Sequence, residues 1–155
     1  MAEDQTPGGF PQLASWSRPD RPYPGGGAAY GTMIEALRDF LDHLAGSKPD
    51  EATIAALGED LKAWSERLAP LGVRETEQIW GRRHDLPGRG QALWPPLTDI
   101  DSDESSVSAT VYFGRRYLGG NGAVHGGALP LLFDEVLGQL SNIGGRSRAR
   151  TAYLH

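Results

Sequence analysis

Residues 121–136 read NGAVHGGALPLLFDEV. A histidine, two glycines, an apolar run and one aspartate inside that run are the residues whose types and spacing could do chemistry. If a helix opens after the glycines, its first N–H groups have no partner within the helix, and its dipole adds partial positive charge at that end. Gly126 and Gly127 lack a Cβ, so a ligand can approach their backbone closely. Such a helix start suits an anion or a polarised carbonyl oxygen. Asp134 follows Gly127 by seven residues, two helical turns, on much the same face. Its neighbours Leu131, Leu132, Phe133, Val136 and Leu137 are apolar. A carboxylate in that company is costly unless paired or functional, and partial burial raises its pKa toward the range of a general base or nucleophile. The expectation is a buried Asp134 beside a solvent-facing Glu135. The plainer alternative is a tight turn followed by a surface aspartate.

A rival reading uses the same residues. A strand, Gly120-x-Gly122 and a helix resemble a dinucleotide-binding fingerprint. Its third glycine would fall at His125, and the acidic residue expected about 20 positions later is missing. That reading is set aside.

The elements that must position this stretch are legible in outline. TMIEALRDFLDHLAG reads as a first helix, with Thr32 and Glu35 as a capping box, apolar residues at helical spacing and Gly46 as its stop. A second helix covers 50–68. Its Ile54, Leu57, Leu61, Trp64 and Leu68 alternate by three and four and make one narrow seam, suited to core or interface, and Pro70 and Gly72 end it. A shorter helical stretch is expected at 75–80, then an ordered Pro- and Gly-broken loop, GRRHDLPGRGQALWPPLTD. SSVSATVYF is the clearest strand, with Val107, Ala109, Val111 and Phe113 on one face. The helix after the glycines should run over 127–142, and ARTAYLH reads as a second strand. The expected organisation is a flexible Gly/Pro-rich arm at 1–31, a helical segment at 32–80, and a strand-and-helix domain at 81–155.

Composition narrows the functional classes. A chain of 155 residues is about one domain's worth. It has no cysteine, which excludes disulfides, thiolate metal sites and a Cys nucleophile. The net charge of −5 provides no global attraction for nucleic acid or an anionic membrane. The start MAEDQTPGGF has neither a basic nor an apolar signal region, and the longest apolar run, 128–133, is too short to span a bilayer. A cytoplasmic protein with no nucleic-acid or membrane partner is expected.

The stretch NGAVHGGALPLLFDEVLG resembles the signature of hotdog-fold acyl-CoA thioesterases of the phenylacetate-pathway, PaaI-like type. The frame is HGG, an Asp nine residues after the His, and a Gly four after the Asp; His125, Gly126, Gly127, Asp134 and Gly138 fill it. RTAYLH resembles the family strand that follows the central helix. The resemblance covers roughly 74–155 well and 31–70 loosely. It implies an α+β hotdog fold, an antiparallel sheet wrapped around a long central helix, assembled as a homodimer or a dimer of dimers with the site between subunits. It also implies that the Gly127 N–H polarises the thioester carbonyl and that Asp134 acts as general base or nucleophile, facing the other subunit's helix start. His125 would orient near the carbonyl and Thr151 assist. Gly126 and Asn121 would contact substrate, though Asn121 stands at a different spacing from His125 than the family's Asn. No cofactor is implied. Family members continue past YLH with closing strands, so the hotdog expected here is incomplete. The alternative is therefore a truncated, non-catalytic chain that binds acyl-CoA or a partner subunit. A hotdog dehydratase is a weaker third option.

Other groups carry less. In RSRAR, Arg146, Arg148 and Arg150 share one side of an extended segment and could reach the phosphates of coenzyme A or form a solvated edge that discourages strand pairing; the second is preferred. Arg115 and Arg116 pose the same choice. DIDSDE has the acidic spacing of a calcium loop but lacks its Gly and its closing Glu, and reads as a solvated turn. The four histidines show no zinc spacing, so no metal is expected.

Overall fold

The computed structural model describes residues 25–141 and 143. The arm at 1–24, Thr151, Arg146, Arg148, Arg150 and the strand expected at 149–155 lie outside the described residues. Within them the chain is α+β. Three helices, α1 (Gly27–Ala45), α2 (Glu51–Leu68) and α3 (Ala128–Ser141), accompany a two-stranded antiparallel sheet of β1 (Leu97–Ser102) and β2 (Val107–Val111). None of these helices is long and apolar enough to cross a membrane.

The first helix begins at Gly27, earlier than the Thr32 start that the capping-box pattern suggests. Its N-cap is Gly26, left-handed at φ 69° and with no side-chain cap. What holds the extra turn is tertiary. Arg83, with no exposed surface, donates from Nη1 to the carbonyls of Gly25 (3.0 Å) and Gly27 (2.8 Å). The arm expected at 1–31 therefore gives up its last residues to α1.

α2 follows its local signals. The Asp50 side chain accepts from the Thr53 N–H at 2.8 Å, as an N-cap should, and a 3-10 turn at Ala69–Leu71 containing Pro70 ends the helix. The seam does not join the core: no residue of α2 is buried. The helical stretch expected at 75–80 shrinks to one 3-10 turn, Glu75–Glu77.

The loop from 81 is ordered, and arginines fasten it to α1. Arg83 grips Asp85 through two bonds of 2.8 and 2.7 Å. Arg38, buried on α1, donates to the carbonyls of Pro87 (2.8 Å) and Gln91 (2.6 Å) and pairs with Glu35. Gly90 turns at φ 66°, where a Cβ would lie 2.8 Å from the Arg83 Cβ, so only glycine meets both demands. Further on, Arg116 binds Asp42 of α1 with its N–H (2.9 Å) and its Nη1 (2.6 Å). Among the described residues buried polar side chains (Arg38, Arg83, Gln91, Glu135, Gln139) nearly match the apolar ones (Ile34, Ala92, Pro95, Leu97, Tyr117, Ala128) in number, so hydrogen bonds hold this body together alongside packing.

β1 is a correction to the solvated turn expected of DIDSDE. Leu97 pairs with Val111 and Ser102 with Val107, and the register slips between Thr98 and Asp101, where Asp99 adopts φ 50°. The turn itself is 103–106. Asp103 Oδ1 accepts the N–H groups of Ser105 (2.7 Å) and Ser106 (2.8 Å), and these bonds pull its carboxyl down to about 2. On β2, Val107 and Val111 are half-buried, whereas Ala109 is exposed despite the alternation.

Candidate functional site

The glycine–histidine stretch folds as a compact turn that delivers the start of α3. Tight turns at Arg115–Tyr117 and Gly120–Gly122 precede it. Leu118 bridges to Val124, and the His125 N–H donates to the Tyr117 carbonyl at 2.7 Å. The Ala128 N–H then donates back to the His125 carbonyl at 2.8 Å. Tyr117 is buried and anchors the turn: its hydroxyl lies 3.2 Å from the Ala92 carbonyl and 3.3 Å from that of Leu93.

An apolar cleft of about 450 Å³ opens beside this turn. Leu37 and Leu41 of α1, Trp80 and Leu93 supply its walls, and His125 and Gly127 stand at its edge with Arg116. The size suits a small organic group. His125 folds back so that its Nδ1 accepts the Gly127 N–H at 3.0 Å. A Cβ at residue 127 would come within 3.2 Å of that Nδ1, whereas one at Gly126 would meet nothing. In this arrangement the amide expected to polarise a carbonyl is already engaged.

Asp134 is half-buried on α3 and is not part of this cleft's wall. Two helical turns separate it from Gly127, roughly 10 Å along the axis. Asn121, at φ 58°, is exposed in its turn and away from the cleft wall. The structure thus brings His125 and Gly127 together on one cavity, with Asp134 and Asn121 elsewhere.

Glu135 reverses the expectation for this helix. It is Glu135, 4% exposed, that turns inward. The Arg89 Nη2 lies 3.0 Å from one of its carboxylate oxygens, and Arg89 Nε (3.3 Å) and Gln139 Nε2 (3.2 Å) donate to the other. Ala128, Glu135 and Gln139 make the buried stripe of α3, while Leu129, Phe133 and Leu137 are exposed. Its partner Arg89 lies 46 residues away, so no local pattern points to it. Glu135, Gln139 and Arg89 also border a second cleft, about 360 Å³, beneath the hairpin. Crowding and the nearby Arg89 charge push His84 on its rim below the ordinary imidazole value.

The cleft wall contains residues that motif reading passed over. Trp80 closes the short helical stretch expected at 75–80, Leu93 sits in Pro- and Gly-broken sequence without periodicity, and Arg116 was one of two adjacent arginines with nothing to separate them. The structure separates them: Arg116 reaches Asp42 and the Arg38 carbonyl (3.0 Å). Compared with protein-family models, with curated proteins and with solved structures, the chain shows no match to any of them.

Proposed function

We propose that this chain hydrolyses acyl-CoA thioesters on a hotdog scaffold that works as a dimer. The observation that carries the reading is the turn at 125–127, which presents a helix N-terminus at the edge of an apolar cleft of about 450 Å³. An acyl chain would occupy the cleft with its carbonyl at the helix start. Water would attack the carbonyl carbon and lose its proton to the Asp134 carboxylate. The oxyanion would take the Gly127 N–H as His125 swings aside, and collapse of the adduct would expel coenzyme A as the thiol. A general base must reach its water within about 3 Å, so the roughly 10 Å between Gly127 and Asp134 along one helix calls for the aspartate of a second subunit. The exposed Leu129, Phe133 and Leu137 beside Asp134 offer an apolar surface on which that subunit could seat.

The test is thiol release from a panel of acyl-CoA esters. The chain has no cysteine, so a thiol-reactive dye sees only freed coenzyme A. Asp134→Asn should lower the rate by about 10²–10⁴-fold with an unchanged circular dichroism spectrum. Wild-type turnover in that variant refutes the mechanism. The engaged Gly127 N–H favours a second reading, a chain that binds the acyl group without cleaving it. Acyl-CoA binding by wild type and Asp134→Asn alike, with no thiol release from either, would establish that reading.

A further inference from the structure

α2 carries its apolar residues outward. Ile54, Leu61, Trp64 and Leu68 are each more than half exposed, Leu57 is half-buried, and Leu71 in the 3-10 turn that follows is exposed as well. Within the helix the spacing is three, four, three, four, the repeat of a coiled-coil seam. With Ile54, Leu61 and Leu68 at a positions and Leu57 and Trp64 at d, the flanking g positions are Asp60 and Arg67, and the e positions are Gly58 and Ser65. Flanking charges set partner and direction in such pairs. A parallel pair brings g against e, which places Asp60 opposite Ser65 and Arg67 opposite Gly72, with no charge matched. An antiparallel pair brings g against g and e against e. Leu61 then faces Trp64 of the other copy and Leu57 faces Leu68. Asp60 meets Arg67 twice, and Gly58 meets Ser65, leaving room beside the two indoles. Asp60 and Arg67 are exposed and form no ion pair among the described residues. Arg67 already lies over the Trp64 ring at 4.8 Å, at the border of the seam.

We infer that α2 is a self-association helix: two copies of this chain pair antiparallel along the 54–68 seam, with Asp60 of each against Arg67 of the other. The surface is separate from the exposed stripe of α3, and the inference stands whether or not the chain hydrolyses thioesters.

Sedimentation of the full chain tests it. Leu61→Glu, Asp60→Arg and Arg67→Asp should each halve the mass of the wild-type species. The double variant Asp60→Arg with Arg67→Asp should restore it, because the reversed charges again match. Circular dichroism checks that each variant keeps its helices. Direction is read by disulfide trapping, which the absence of native cysteine makes clean. Mixed Leu57→Cys and Leu68→Cys chains should cross-link to each other. Leu57→Cys alone should not, since its two copies would stand roughly 16 Å apart along the pair, beyond disulfide reach. A monomeric wild type, a mass indifferent to these changes, or cross-linking of Leu57→Cys to itself overturns the inference. The first of these would leave the seam to another segment or a different protein.

Discussion

Arg83→Met tests how the body is held together. The side chain has no exposed surface and donates twice to the Asp85 carboxylate and once to each of two carbonyls that open α1. Methionine fills similar space and provides none of them. Breaking one side of a buried ion pair costs about 3–5 kcal/mol. Asp85 keeps a quarter of its side-chain surface in water, and Gly25 and Gly27 can also be hydrated, so the low end applies, about 3 kcal/mol. For a chain of this size that is a fall of roughly 6–12 °C in Tm, read by circular dichroism melts and urea titration. Arg83→Lys should lose much of the same stability, because a single ammonium cannot reproduce the paired grip on a carboxylate. A Tm within a degree or two of wild type in Arg83→Met would show that the network does not hold the loop to α1.

The same pair gives a pH signature. The Arg83 hydrogen bonds hold the Asp85 carboxyl below its ordinary value of 3.8. Its contribution is complete above that value and is lost as pH falls through the lower folded value, so wild type should lose more stability than Arg83→Met in acid titrations from pH 5 downward; parallel curves would remove this pair from the account. Gly114→Ala should cost about 2 kcal/mol, because its Cβ would fall on the Asp42 carboxylate and push it off Arg116. In urea titrations that cost should vanish when Asp42 is also alanine, and a cost that persists would locate the strain elsewhere.

What was legible in the sequence followed the range of the signal. Asp50 as cap and Pro70 as stop bracket α2 because both act on adjacent backbone. The Gly126–Gly127 turn announced α3 for the same reason. The start of α1 was misread because Arg83, more than fifty residues away, secures a glycine-rich turn that has no cap of its own. β1 was missed because its polar residues suit a strand exposed along nearly its whole length. Glu135 was expected in solvent but turns inward beside a half-buried Asp134, because its burial depends on Arg89, a partner that helical periodicity cannot reveal. The cleft was invisible for a related reason: its walls come from α1, Trp80, Leu93 and the 116–131 segment, and only folding joins them.

That joining has a consequence for α2. The bonds that close the body run from 27 to 83, from 38 to 91 and from 42 to 116, and all of them close around α2. The helix is thus a detour in a closed ring of chain. Loop-closure entropy grows only with the logarithm of length, and halving such a detour returns only about 0.6 kcal/mol. Within one copy, the stretch 47–72 that carries α2 can therefore lengthen or shorten at little thermodynamic cost. Such changes would act mainly on how quickly α1 finds its distant partners, and would leave the cleft's walls, Trp80 included, in place.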